Sequence, residues 1–365
     1  MSHIVIDARI INSSTGRYVE RLLHYLQTID TVNKYTVLVL EKDKNYWMPT
    51  ADNFSTIVAD FDQYSIAEQT GFKRFIDDLA PDLVHFTMPQ QPIRYKGNKV
   101  TTIHDLTLLK VYNSDKNWLV YHFKQLVGHF VFKRVIATSS QILTPSDYSK
   151  DEIIEFDRRA EGKITTTYLA ADLSKDEPEP YELPFKRFLL YVGQQSDYKN
   201  IPRLASAHQR LIKKYPDLGL VLVGSKNASV EMNEELFTDR NYKNIVFTGY
   251  LPDPQLNWLY KEADAYVFPS LMEGFGLPGL EAMGHGTPVV SSSATCLPEI
   301  YGDAAHYFNP NDTTDMARAI DEVLDNHILR TELVKVGHAQ FKKYSWHDTA
   351  KQTHQIYLDA LEKEA

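Results

Sequence analysis

Twice along the chain, short apolar runs alternate with amphipathic helical patterns, and this constrains the fold more than any other feature. The first round opens with His3 to Ala8, a strand ending in the polar, glycine-containing loop Asn12–Arg17. A helix follows, with Val19, Leu22, Leu23 and Leu26 on one face. Tyr35 to Leu40, Leu83 to Phe86 and Val100 to Ile103 read as strands, with Ile57-Val58 as a shorter apolar step. Phe72 to Leu79 is helical in pattern until Pro81 stops it. A long helical region covers Asn117 to Phe132, and Val135 to Thr138 and Ile142 to Thr144 read as further strands. Ser146 then caps a helix opening at Tyr148-Ser149-Lys150.

Residues 172–186, polar and proline-containing, interrupt the pattern as a linker. The alternation restarts at Phe188 to Val192, a strand stopped by Gly193. Ile201 to Tyr215 is helical, Leu220 to Val223 and Ile245 to Phe247 are strands, and Leu256 to Glu262 is a helix. Ala265 to Phe268 is a strand, Gly279 to Met283 opens a helix, Val289 to Ser291 is a strand, and a helix lies near Asp315 to Leu324. Such alternation predicts an α/β chain with two parallel sheets, each covered by helices on both faces. A length of 365 residues accommodates two such domains.

The strongest chemical signal is the run Pro269 to Met283. Three glycines, Gly274, Gly276 and Gly279, lead from a strand end into a helix N-terminus, where exposed amides suit a phosphate or diphosphate. Glu273 in the loop and Glu281 on the first helical turn, eight residues apart, suit sugar and ribose hydroxyls. Alone, the pattern also fits a tight turn with a capping carboxylate, and both readings stay open at this point.

Further motifs stand in order around it: Gly286-Thr287-Pro288-Val289-Val290-Ser291, Leu297-Pro298-Glu299-Ile300, Gly302-Asp303-Ala304-Ala305, Tyr191-Val192-Gly193 with Lys199-Asn200, Gly249-Tyr250, Thr15-Gly16-Arg17-Tyr18, His104-Asp105 and Tyr344-Ser345-Trp346. Together they resemble the retaining glycosyltransferases of family 4, bacterial polysaccharide mannosyltransferases among them. The resemblance spans nearly the whole chain. It is dense from 245 to 305 and sparse from 30 to 80.

The resemblance implies a GT-B fold: two Rossmann-like domains facing each other across a cleft. Residues 1–180 would bind the acceptor, residues 181–345 the nucleotide sugar, and a helix at about 346–365 would return to the first domain. It implies roles as well. Glu281 would hold the nucleotide ribose, Glu273 the transferred sugar, and the loop with Gly193 and Gln194 and the amides near Gly276, Gly279 and Leu280 the diphosphate. Lys199 would neutralise the leaving phosphate as its charge develops, without a metal. His104 would sit by the transferred sugar, so that Glu273, His104 and Lys199 form the catalytic set, with Glu273 named for its place and not as a nucleophile. Gly16, Arg17, Tyr18 and Asp105 would line the cleft on the acceptor side. One residue departs from the pattern: Gln194 stands where many members carry an arginine, so Lys199, backbone amides or Arg17 must supply the missing charge. The donor implied is GDP-mannose, and the acceptor a saccharide or lipid-linked oligosaccharide. A nucleotide-sugar epimerase or disaccharide synthase on the same fold, and a non-catalytic nucleotide-sugar-binding paralogue, are the rival readings.

Charge narrows the partners. A net charge of −9 disfavours a bulk electrostatic grip on nucleic acid. The single cysteine, Cys296, excludes an intrachain disulfide and fits a reducing compartment. The N-terminal residues do not read as a signal peptide, and no apolar run approaches membrane-spanning length, so a cytoplasmic protein is expected. Between 112 and 134, Tyr112, Trp118, Tyr121, Phe123, Lys124, Phe130, Phe132, Lys133 and Arg134 mix aromatic with basic side chains. This stretch reads either as a peripheral membrane contact at the inner face of the cell membrane or as a partly buried amphipathic helix.

Overall fold

The computed structural model describes residues 1–13, 15–110 and 118–362, the side chains of 118–124 excepted. The chain divides into two compact units, one of residues 1–110, 118–169 and 345–362, the other of residues 170–344.

In the first unit seven parallel strands form one sheet in the order β3-β2-β1-β4-β5-β6-β7. These are β1 His3–Asp7, β2 Lys34–Val39, β3 Phe54–Val58, β4 Leu83–Phe86, β5 Lys99–Thr102, β6 Gln141–Thr144 and β7 Ile164–Thr166. The strands are short, and those in the middle of the sheet are buried along nearly their whole length because helices cover both faces. Helix Gly16–Ile29 buries Val19, Leu22, Leu23 and Leu26. Helix Trp346–Glu362 belongs to this unit too. It buries Trp346, Ala350 and Tyr357, accepts a bond from Asn98 Nδ2 at the Ala360 carbonyl (2.8 Å), and bonds through His354 Nε2 to Asp30 Oδ2 (2.9 Å).

The strand expected at Val135–Thr138 is instead the end of helix Trp118–Thr138. No proline or glycine intervenes after Gly128, and the buried Phe132, Val135 and Ile136 recur at helical spacing on one core-facing side. β-branched residues there follow packing and not their strand preference.

The second unit repeats the plan with six parallel strands in the order β10-β9-β8-β11-β12-β13. They are β8 Arg187–Val192, β9 Leu218–Val223, β10 Ile245–Gly249, β11 Ala265–Phe268, β12 Val289–Ser292 and β13 Ala305–Phe308. In both sheets the strand order reverses once, between β1 and β4 and between β8 and β11. Ligands of open parallel sheets bind beyond the strand carboxyl ends at such reversals.

Candidate active site

The site residues named from the sequence fall into two sets, one per unit. In the second unit they lie at the strand-order reversal. Gly193 follows β8 with φ 143°, a conformation open to glycine, and its N–H bonds to Val223 O (2.9 Å). Gln194 is exposed, and its carbonyl accepts the Tyr191 hydroxyl at 2.5 Å. The next residue, Gln195, turns inward and accepts from Asn233 Nδ2 (3.1 Å).

Lys199 ends a short 3-10 turn. Asn200 after it adopts a left-handed conformation, φ 63°, which asparagine tolerates. Its Nδ2 donates to Pro269 O (3.0 Å) and Pro310 O (2.8 Å), and Leu271 N–H donates to Tyr198 O (2.8 Å). These bonds tie the loop after β8 to the loop after β11, so residues 74 apart in sequence meet: Lys199 Nζ donates to Glu273 Oε1 at 2.6 Å. Burial weakens the hold of the ammonium on its proton, but Glu273, with Tyr191 and Tyr198 behind it, outweighs this and the lysine pKa rises. Lys199 is therefore a fixed cation at neutral pH. The rings of Tyr198 and Phe268, 5.0 and 5.6 Å away, complete its surroundings.

Glu273 is held through its backbone: its N–H donates to Thr295 Oγ1 (3.2 Å) and its carbonyl accepts Cys296 Sγ (3.2 Å). Thr295 sits at φ 54°, an outlier for a β-branched residue that costs of order 1–3 kcal/mol.

The helix after this loop is Leu277–His285, one turn fragment earlier than expected. Gly276, at φ 98°, makes the entry turn and Pro278 takes the second helical position. Glu281 consequently lies in the second helical turn and not the first, with Oε2 accepting the Tyr260 hydroxyl (3.1 Å). Tyr301, fully buried, donates to Gly276 O at 2.5 Å and also takes up the Gly279 amide. A β-carbon at Gly279 would collide with the Tyr301 ring and hydroxyl. The Gly279 amide is thus shared with the protein, while Leu280 beside it is buried in the core.

In the first unit, Gly16 opens its helix packed so closely on the Ile10 and Ile11 carbonyls that no β-carbon fits. Ser14, just before it, lies outside the described residues. Arg17 is exposed and Tyr18 buried. Tyr18 Oη lies 2.9 Å from Thr102 Oγ1, and its ring meets His104 edge-on at 5.0 Å. His104 follows β5, its Nε2 is 3.1 Å from Thr87 O, and burial lowers its pKa despite the neighbouring Asp105. The Asp105 carboxylate caps the next turn by accepting Thr107 N–H (2.8 Å).

Several groups here carry no sequence signal. Arg9, just beyond β1, is buried between Asp7 (2.8 Å) and Glu68 (2.9 Å), donates to Phe61 O (2.8 Å) and lies over the Phe72 ring at 3.8 Å. His85 in β4 is fully buried, and burial drives its pKa down to about 3. Tyr260 and Tyr301 fall within stretches that the family resemblance covers, but nothing in the sequence marks their hydroxyls as partners of Glu281 and Gly276.

Among the described residues no group of three or more His, Cys, Asp or Glu side chains could hold a metal ion. Nor is any described helix long and apolar enough to cross a membrane.

Comparison with known proteins adds to this geometry. The family model for "Glycosyl transferases group 1" matches residues 175–340. The O-antigen chain mannosyltransferase B of Escherichia coli is 34% identical over 275 residues, covering 71% of this chain and 69% of that protein. The serotype-specific mannosyltransferase WbdA of the same organism is 26% identical over 93% of this chain, which spans 45% of its length. Among solved structures, sucrose-phosphate synthase from Thermosynechococcus elongatus superposes with a TM-score of 0.79 over the full length of both chains at 19% identity, a likeness of fold.

Proposed function

Since the chain belongs to the group 1 glycosyl transferases, enzymes that take a sugar from a nucleotide carrier, we propose that it moves mannose from GDP-mannose onto a saccharide or lipid-linked oligosaccharide with retention at the anomeric carbon. The Lys199–Glu273 ion pair at the reversal between β8 and β11 carries this reading. An ammonium has three N–H donors, and Glu273 takes one. The others serve the diphosphate, whose charge grows as the glycosidic bond breaks. Glu273 receives hydroxyls of the transferred sugar, and Glu281 those of the ribose. Gln194 adds neutral hydrogen bonds, so Lys199 is the principal cation at the leaving group. The first unit takes the acceptor through Gly16, Arg17, Tyr18 and Asp105, with His104 at the transferred sugar. The acceptor hydroxyl attacks on the face the diphosphate leaves, and the departing phosphate oxygen collects its proton. The mannose donor is supported by the two Escherichia coli mannosyltransferases the chain resembles.

Thermal melting tests the donor. GDP and GDP-mannose should raise the Tm, with or without Mg²⁺, whereas UDP, UDP-glucose and a dTDP-sugar should not. A response to uridine nucleotides alone overturns the donor assignment.

A second use of the first unit is contact with a lipid surface. Leu126, Phe130 and Lys133 lie on one side of helix Trp118–Thr138, and Leu108, Leu126 and Phe130 are all more than half exposed. Tyr112 and the side chains of Trp118, Tyr121, Phe123 and Lys124 lie outside the description. Sedimentation with anionic vesicles, abolished in Leu126→Glu/Phe130→Glu, is the expected result. Equal sedimentation of that variant removes the claim.

A further inference from the structure

Four side chains of the first unit form a continuous hydrogen-bonded row. Tyr357 Oη, on helix Trp346–Glu362, lies 2.5 Å from His85 Nδ1. His85 Nε2 lies 2.8 Å from Thr102 Oγ1 at the end of β5, and Thr102 Oγ1 lies 2.9 Å from Tyr18 Oη. The row runs from the interior to the ring that rests on His104.

Its polarity follows from counting hydrogens. Burial keeps the His85 imidazole neutral and both phenols protonated. Each of the four groups then carries one polar hydrogen, but the row has three links. One hydrogen must find its acceptor outside the row. A buried hydroxyl left unsatisfied is costly, so the surplus hydrogen belongs at an end and not on Thr102. Tyr357 and His85 are wholly enclosed, and among the described residues Tyr357 Oη has no partner other than His85, whereas Tyr18, though buried, keeps 3% of its surface open beside the half-buried His104 and is the more accessible end of the row. Its hydrogen therefore goes to Nδ1. His85 is left with Nε2–H, which donates to Thr102. Thr102 donates to Tyr18, and the surplus hydrogen is that of the Tyr18 hydroxyl.

We propose that Tyr357, His85 and Thr102 are positioning residues that set the Tyr18 hydroxyl as a hydrogen-bond donor to a saccharide oxygen held beside His104. The saccharide part rests on the transferase reading above, and the direction of the row does not. A neutral, fixed donor suits a neutral, hydroxyl-rich ligand, whereas the charged pair of the other unit suits a diphosphate. The oxygen belongs either to the acceptor or to the transferred sugar.

Two experiments test this. In the first, ¹⁵N NMR of histidine-labelled protein, with His85 assigned by its loss in His85→Gln, reads the tautomer directly. Nε2–H is expected. Nδ1–H reverses the row, strands the surplus hydrogen at Tyr357 and overturns the proposal whether or not the protein turns over any sugar nucleotide.

The second is a double-mutant cycle on transfer and on acceptor-free hydrolysis of the sugar nucleotide, with melting temperatures confirming folding. Tyr18→Phe should lower kcat/KM about 10-fold or more, and Tyr357→Phe about 3- to 10-fold. In the Tyr18→Phe background Tyr357→Phe should add nothing, because its effect passes through the missing hydroxyl. Equal losses in both backgrounds reduce Tyr357 to a structural residue and overturn the positioning role. His85→Gln, whose amide can accept at one atom and donate at the other, should retain most activity, and His85→Leu should lose as much as Tyr18→Phe; equal loss in the two His85 variants also counts against the row. Loss of transfer with hydrolysis intact assigns the oxygen to the acceptor, and parallel loss of both assigns it to the transferred sugar. If wild-type protein shows neither reaction with any sugar nucleotide, the transferase reading falls and the tautomer alone decides the row.

Discussion

The two units share a plan, parallel sheets with one reversal of strand order, yet they furnish their reversals differently. The second unit places an ion pair there, Lys199 with Glu273, both within reach of solvent. The first buries its ions, Arg9 between Asp7 and Glu68, and near His104 presents neutral groups aligned by one another. Charge near the surface can be redirected toward a charged ligand. Charge enclosed beneath a loop can only hold the loop. On the function proposed above, the difference separates a site that would supply electrostatic stabilisation from one that would supply shape and orientation.

The contrast is sharpest in where substitution should act. Arg9→Leu should cost about 3–5 kcal/mol of stability, because two buried carboxylates lose their partner. Urea unfolding would show it, and a loss under 1 kcal/mol would mean the triad is not a keystone of the first unit. Lys199→Ala should do the reverse: about 100- to 1000-fold off kcat/KM with little change in melting. An unchanged rate would remove the electrostatic half of the comparison.

Acidity probes both units together. His85 in the first is pushed down to about 3 and His208 in the second to about 4, each by burial. Unfolding frees each to bind a proton at its ordinary pKa near 6.5. The contribution of these two histidines should therefore be level above pH 6.5 and fall as the pH drops from there toward 4, by about 1.4 kcal/mol per pH unit for each. His85→Gln should shallow this slope for the first unit and leave the His208 contribution in place. An unchanged slope would mean that His85 does not stay neutral in the fold.

The smallest effect belongs to Tyr301→Phe. Losing the bond to Gly276 O should cost about 1 kcal/mol and raise the KM for the sugar nucleotide slightly, since the helix entry loosens. A large fall in kcat instead would give the phenol a part in the chemistry.

The same contrast explains what could be read in advance. The second unit's site sits in loops with local signals: glycines that permit positive φ, a proline at a helix start, carboxylates at fixed spacing. The pairing of Glu273 with the lysine loop is encoded less openly, through Asn200 reaching across to Pro269 and Pro310. Gly279 looks like the helix start in the sequence, but Gly276 makes the turn, so Glu281 stands one turn further into the helix than the spacing predicts. In the first unit, His104 and Tyr18 stand in recognisable positions, but His85 is one polar residue within an apolar strand and Tyr357 one aromatic on an amphipathic helix. Their partnership spans 272 residues of sequence. Only the tertiary fold brings such residues together, and no local periodicity announces them. The misread strand at Val135–Thr138 has a similar cause, since buried β-branched residues fit either structure until their neighbours are known.

Helix Trp346–Glu362 completes the first unit only after the chain has passed through the whole of the second. On the ribosome, residues 170–344 are contiguous and can collapse as they emerge. The first sheet cannot be finished at that moment, because the surfaces meant for Trp346, Ala350 and Tyr357 have no occupant. Nascent chain up to about Leu169 must wait, with apolar surface uncovered, until the closing helix is made. Synthesis therefore imposes an order in which the unit begun first is the one finished last, and holdase chaperones would find their binding surface on the unit begun first.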